Sequence, residues 1–219
     1  RCTTAREAIL LIAALANEYG YASRGESISI ADKEEAWILE IIAKRPEYNE
    51  AGENTNKGVV WVAARIPDGY ISAHANAARI TTIDPDDSEN YMYSEDLFEY
   101  VREAGLYDGP ADQFSFADTF WPLDFSLLRG CEARVWAFFN KFAADDMSCY
   151  LDFVRGDNPS NRMPLYVKPA EKLSVKDVAD MMRDHYEGTE FDMTKGVGAG
   201  GNELPYRWRP SSIEIDGKK

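Results

Sequence analysis

Asn76 stands near the end of Val59 to Ile80, VVWVAARIPDGYISAHANAARI, a stretch poor in polar residues. An asparagine at the end of a strand can donate its amide to the oxyanion of an acyl-transfer intermediate, where one such donor is worth about 3 kcal/mol. The same amide can instead bond a neighbouring loop and do no chemistry. His74 precedes it by two residues, so on a strand both side chains project from one face toward one cleft. A lone sheet histidine can also be structural. Arg134 interrupts an apolar helical stripe, where a guanidinium either orients a carboxylate or pairs with Glu132 or an acidic loop.

Cys2, beside Thr3 and Thr4, is the other candidate. An N-terminal nucleophile uses the free amine of its own residue as base. Arg1 covers that amine here, and Thr4 starts a helix at once, so Cys2 reads as an ordinary residue before a helix. Three widely spaced cysteines, Cys2, Cys131 and Cys149, fit no zinc pattern, and two distant histidines, His74 and His185, encourage neither a metal site nor a histidine triad. No cofactor or metal is expected. The glycine run from Gly196 to Gly201 lacks the Lys-Ser/Thr pair of a phosphate cradle and reads as a loop. Asp86-Asp87 and Asp145-Asp146 read as solvated turns.

The elements that must position these residues follow from patterning. Thr4 with Glu7 is a capping box for a helix over Ala5 to Tyr19, closed by Gly20. Strands are expected at Ser27 to Ala31, Ala36 to Ile42, Val59 to Ile66 and Tyr70 to Ala75, the last two joined by the turn Pro67-Asp68-Gly69. Pro46 to Lys57 is a looser, polar connection. Four short strands with short connections make an antiparallel meander, strand-rich over 25–82. Beyond it, Ile83 to Tyr93 is acidic and turn-rich, and the chain turns helix-rich over 94–188. Helices are expected at Glu95 to Ala104, Cys131 to Ala144 and after Ser174 to Glu187, with Gly109 to Gly130 aromatic and irregular.

The 219 residues, 45% of them hydrophobic, suffice for one sizeable α+β core. With 24 Lys plus Arg against 38 Asp plus Glu, the net charge of −14 repels nucleic acid phosphates and anionic membranes, so no nucleic acid partner is expected. The longest apolar run, Ala8 to Ala16, is too short to span a membrane, and the chain reads as soluble, whether cytoplasmic or exported.

Several segments together resemble the dipeptidase A family of cysteine peptidases, within the N-terminal nucleophile hydrolase superfamily. They are TAREAI (Thr4 to Ile9), YGYAS (Tyr19 to Ser23), GESISIADKEEAWILEII (Gly25 to Ile42), the Val59 to Ile80 stretch, ARVWAFFN (Ala133 to Asn140), and GTEFDMTKGVGAG through PYRWRP (Gly188 to Pro210), in order over nearly the whole chain. The resemblance implies stacked antiparallel β-sheets flanked by helices, hydrolysis of dipeptides and short peptides, and no metal. It also implies an N-terminal cysteine that attacks the scissile carbonyl and passes through a thioester. By the same resemblance Asn76 is the oxyanion donor, Arg134 supports the nucleophile's surroundings, and His74 contacts substrate.

One departure bears on activity. In the family the cysteine opens an apolar strand leading to Asp-Gly-Ser and then Arg-Asn-Glu-Asp, and this chain contains neither. Residues 1–219 therefore read as a single, incomplete section of a larger peptidase domain, lacking the nucleophile and inactive alone. Two other readings stay open. One is a non-catalytic binding or scaffold domain with a hydrolase-like fold; the other is an acylase of the same superfamily cutting linear amides such as conjugated bile acids or penicillin V. Oligomeric state is left open, a homo-oligomer included.

Overall fold

The computed structural model describes residues 1–199. The chain divides into two compact units, Arg1–Ala170 and the residues from Glu171 onward. In the first, helix α1 (Ala5–Tyr19) starts at the expected capping box. Thr4 Oγ1 accepts from the Glu7 amide at 3.2 Å, and Glu7 Oε2 accepts from the Thr4 amide at 3.3 Å. Strands β1 (Gly25–Ala31), β2 (Ala36–Ala43) and β3 (Val59–Ile66) follow as antiparallel neighbours. β2 and β3 read as nearly unbroken apolar runs because both their faces are covered.

The turn at Pro67 forms as expected, with the Tyr70 amide donating to the Pro67 carbonyl at 3.0 Å and Gly69 at φ +81. The strand after it does not return along β3. The free edge of β3 is taken instead by β5 (Tyr91–Tyr93), which places Tyr91 opposite Ala64. The shortened β4 (Ile71–Ser72) pairs with β6 (Tyr166–Val167) in a separate two-stranded sheet. The sheet order is thus β1-β2-β3-β5, and the meander expectation is corrected at its fourth strand. An edge accepts one partner, and a three-residue strand inside an acidic stretch leaves little trace in sequence.

Helices α2 (Leu97–Glu103), α3 (Phe116–Phe120) and α4 (Phe125–Leu127) lead into a π-type turn over Leu128–Glu132, which runs straight into α5 (Ala133–Phe142). The helix expected from Cys131 is therefore longer at its start and irregular there, a feature often found beside functional sites. α6 (Leu151–Arg155) completes the helices of this unit. In the second unit α7 (Val175–Met181) begins at the expected Ser174–Asp177 capping box and stops short of Glu187. The run from Gly196 is described to Ala199, as one 3-10 turn. The PYRWRP segment lies outside the described residues.

Antiparallel register puts residues directly opposite one another on the same face. One face, with Trp37, Leu39, Ile41, Val59, Trp61 and Ala63, packs on Ala5, Ile9, Ala13 and Ala16 of α1. The other, with Ile38, Val60, Val62 and Ala64, packs on Ala78, Ile80, Ile83, Leu97, Phe114 and Phe116. Ala78 and Ile80, just after Asn76, are pressed onto this second face. The fold is α+β with antiparallel sheets and helices. Among the described residues no helix is long and apolar enough to cross a membrane.

Candidate functional site

Glu40 sits in the middle of β2, between Leu39 and Ile41, and is 1% exposed. Its register partners are Ser27 and Val62, so nothing on the sheet itself answers its charge. Both its oxygens accept from the backbone of the crossing segment: Oε1 from the Arg79 amide at 2.6 Å and Oε2 from the Ile80 amide at 3.1 Å. These amides are buried, and an orphaned buried N–H costs about 1–3 kcal/mol, so the carboxyl replaces a missing strand partner. Burial pushes its pKa up to about 7, with nearby Glu132 adding to the rise, against the two amides and the Arg79 charge.

Arg79 is itself 5% exposed, and its guanidinium is spent on five acceptors. Nε donates to both oxygens of Glu132 at 3.1 and 3.2 Å, Nη1 to the carbonyls of Ala73 at 3.0 Å and Leu165 at 3.4 Å, and Nη2 to Pro164 at 3.0 Å. The pair Arg79–Glu132 is buried on both sides and lies over the ring of Phe139 at 5.6 Å from Arg79 Cζ. It ties the loop to the π-type turn.

Between the two ends of that loop, Ala75 and Ala77 bridge one another, leaving Asn76 exposed at the apex of a tight kink. Arg134 Nη2 donates to Asn76 Oδ1 at 2.9 Å, and Arg134 Nε to the Gly130 carbonyl at 2.7 Å. A guanidinium has donors only, so the amide atom facing it must be the oxygen. The Asn76 NH2 group is then the one turned away, and among the described residues it has no acceptor. Cys131, buried, lies at 3.6 Å from the same Nη2.

Asn76 and Arg134, chosen separately in the sequence, thus meet; His74 does not join them. Residues 74–76 form no strand, so the alternation that would put His74 beside Asn76 does not operate. His74 Nε2 is hydrogen-bonded instead to Ser29 Oγ of β1 at 2.9 Å. Its pKa is lowered by burial first and by the Arg79 charge second, so the ring is neutral at pH 7. Glu132, considered as a partner for Arg134, pairs with Arg79 instead. Glu40 was missed, although a glutamate inside AWILEII is a legible signal: a carboxylate in a strand buried on both faces must be satisfied from outside it.

The titration of Glu40 makes stability pH-dependent. An acid with a folded pKa above its unfolded value holds its proton preferentially in the folded state. Its stabilising share is complete below about 4.5 and is lost as pH climbs through about 7. Wild type should therefore lose on the order of 3 kcal/mol relative to Glu40→Gln between those pH values. Denaturant titrations of both proteins across that range check it, and parallel curves would contradict it.

Among the described residues no three His, Cys, Asp or Glu side chains are grouped as metal ligands. The family model of peptidase family C69 matches residues 1–218. The chain belongs to peptidase family C69. Within this dipeptidase family of cysteine peptidases, it is 28% identical over 210 residues to a probable dipeptidase of Salmonella dublin, covering 96% of this chain and 42% of that protein. It is 30% identical over 211 residues to a probable dipeptidase of Latilactobacillus sakei, covering 96% and 39%. Dipeptidase A of Lactobacillus helveticus is 27% identical over 180 residues, covering 81% and 32%. The chain thus spans about two fifths of the length of the first two relatives.

Proposed function

We propose that the protein of which residues 1–219 form a part hydrolyses dipeptides and short peptides, and that Asn76 donates its amide N–H to the oxyanion of the attacked carbonyl. The observation that carries this is the orientation of Asn76: Arg134 holds its oxygen, so its free donors face outward from an exposed apex. Oxyanion stabilisation needs donors fixed before the charge appears, since reorganisation then costs nothing at the moment of reaction. Arg134 serves this reading as the residue that fixes the amide. A substrate contact by His74 stays part of this reading only through the resemblance, since its ring is bonded to Ser29 and does not join Asn76. The fold type, in this reading, is that of an N-terminal nucleophile hydrolase, with residues 1–219 forming one section of its peptidase domain.

The attacking thiolate is supplied from outside residues 1–219. Its sulfur bonds the carbonyl carbon, the leaving amine departs with a proton, and water then cleaves the thioester. None of Cys2, Cys131 and Cys149 fills that role: Cys2 abuts a helix cap, Cys131 is buried, and Cys149 Sγ is engaged with the Asp146 carbonyl. The test is a dipeptide panel with the full-length protein and its Cys2→Ala variant. Turnover by both is expected. No turnover of any dipeptide by wild type, or its loss in Cys2→Ala, would overturn the reading.

A further inference from the structure

Asn76 reaches its position through the loop that carries it. The loop leaves β4, kinks at Ala75–Ala77 and lands on the sheet at Arg79 and Ile80. At the landing point the Arg79 and Ile80 amides both bond Glu40 of β2, beside the apolar packing of Ala78 and Ile80 on the same sheet face. Arg79, anchored there by its amide, turns its guanidinium back to the Ala73 carbonyl and so closes the loop on itself around Asn76. The same guanidinium grips Glu132, two residues before Arg134, which holds the Asn76 oxygen.

We infer that Glu40 is a positioning residue: by clamping the Arg79 and Ile80 amides it sets the loop 73–80, and hence the Asn76 amide, at the distance from the reacting carbonyl that catalysis needs. The inference rests on the proposed role of Asn76. A carboxylate here is not explained by packing, because its neighbours on the sheet face are Ser27, Val62 and aliphatic side chains that an isosteric apolar residue would suit. What it does that no apolar residue can is accept from two adjacent backbone amides at once. The facing charged groups are Arg79 and, beyond it, Glu132. Displacements of about 1 Å at a catalytic group can cost about a hundredfold in rate.

The test is a double-mutant cycle in the full-length protein. Glu40→Gln keeps the volume and one acceptor but turns an NH2 group toward one of the two amides. It is expected to lower kcat for a dipeptide between about tenfold and about a hundredfold, with KM changed less than about twofold. In an Asn76→Ala background the same substitution should cost less than about twofold more, because the group it positions is gone. The side-chain NH2 resonances of Asn76 should also shift in Glu40→Gln, although residue 40 does not touch Asn76. Should Glu40→Gln not fold, Glu40→Asp, which retracts the carboxylate but keeps its charge, carries the same expectations. Equal losses in both backgrounds with unmoved Asn76 resonances would overturn the positioning role alone. Full activity in Asn76→Ala would overturn it together with the proposed function.

Discussion

Asn76→Ala in the full-length protein is expected to lower kcat for dipeptide hydrolysis by about 10²- to 10³-fold while leaving KM nearly unchanged. The split follows from what the amide does. In the proposed role it donates nothing to the ground-state carbonyl that water could not supply, but stabilises the charge that would develop as the thiolate attacks. Its removal should not unfold the protein, because Asn76 is exposed and the bond its oxygen accepts from Arg134 can pass to water. Steady-state kinetics beside a thermal melt check both halves. A rise in KM at constant kcat would make Asn76 a binding residue instead.

The largest effect on stability is expected at the buried ion pair. Arg79→Met leaves Glu132, 3% exposed, without its guanidinium and frees the carbonyls of Ala73 and Pro164. Breaking one side of such a pair costs about 3–5 kcal/mol, since the remaining charge stays out of water. Replacing both partners, Arg79→Met with Glu132→Leu, should restore a good part of that loss, because two apolar side chains of similar volume demand no solvent. Denaturant midpoints of the single and double variants decide the matter. A single variant as stable as the double would mean that Glu132 finds another partner or water.

What sequence made legible was what short-range chemistry decides. Thr4 and Glu7 cap α1 because the two groups are three residues apart, and the Pro67-Asp68-Gly69 turn needs nothing beyond its own residues. β1 to β3 were readable from apolar runs bounded by polar turns. The pairing of β4 with β6 and the place of Tyr91–Tyr93 on the sheet edge were not, because they depend on which distant segment reaches an edge first. The same limit holds at the site. Asn76 and Arg134 were named singly, but their contact spans 58 positions and depends on the π-type turn that aims Arg134. Glu40, 39 positions before Arg79, looked like one polar letter in an apolar strand until the crossing segment was in place.

His74 shows the reverse error. Period-two reasoning assumed a strand through Ala75, and the kink at Asn76 that exposes the amide also breaks the alternation. The residue that the motif placed beside Asn76 was turned toward Ser29 by the very feature that makes Asn76 accessible.

The most direct test of an Asn76 donor compares a dipeptide with its thioamide analogue in the full-length protein. Sulfur accepts hydrogen bonds weakly, so a donor aimed at the developing oxyanion discriminates strongly between the two. The wild-type protein should prefer the oxygen substrate in kcat/KM by far more than Asn76→Ala does, the preference collapsing toward the intrinsic ratio once the amide is gone. An equal oxygen-over-sulfur preference in both proteins would contradict the assignment of Asn76 to the oxyanion.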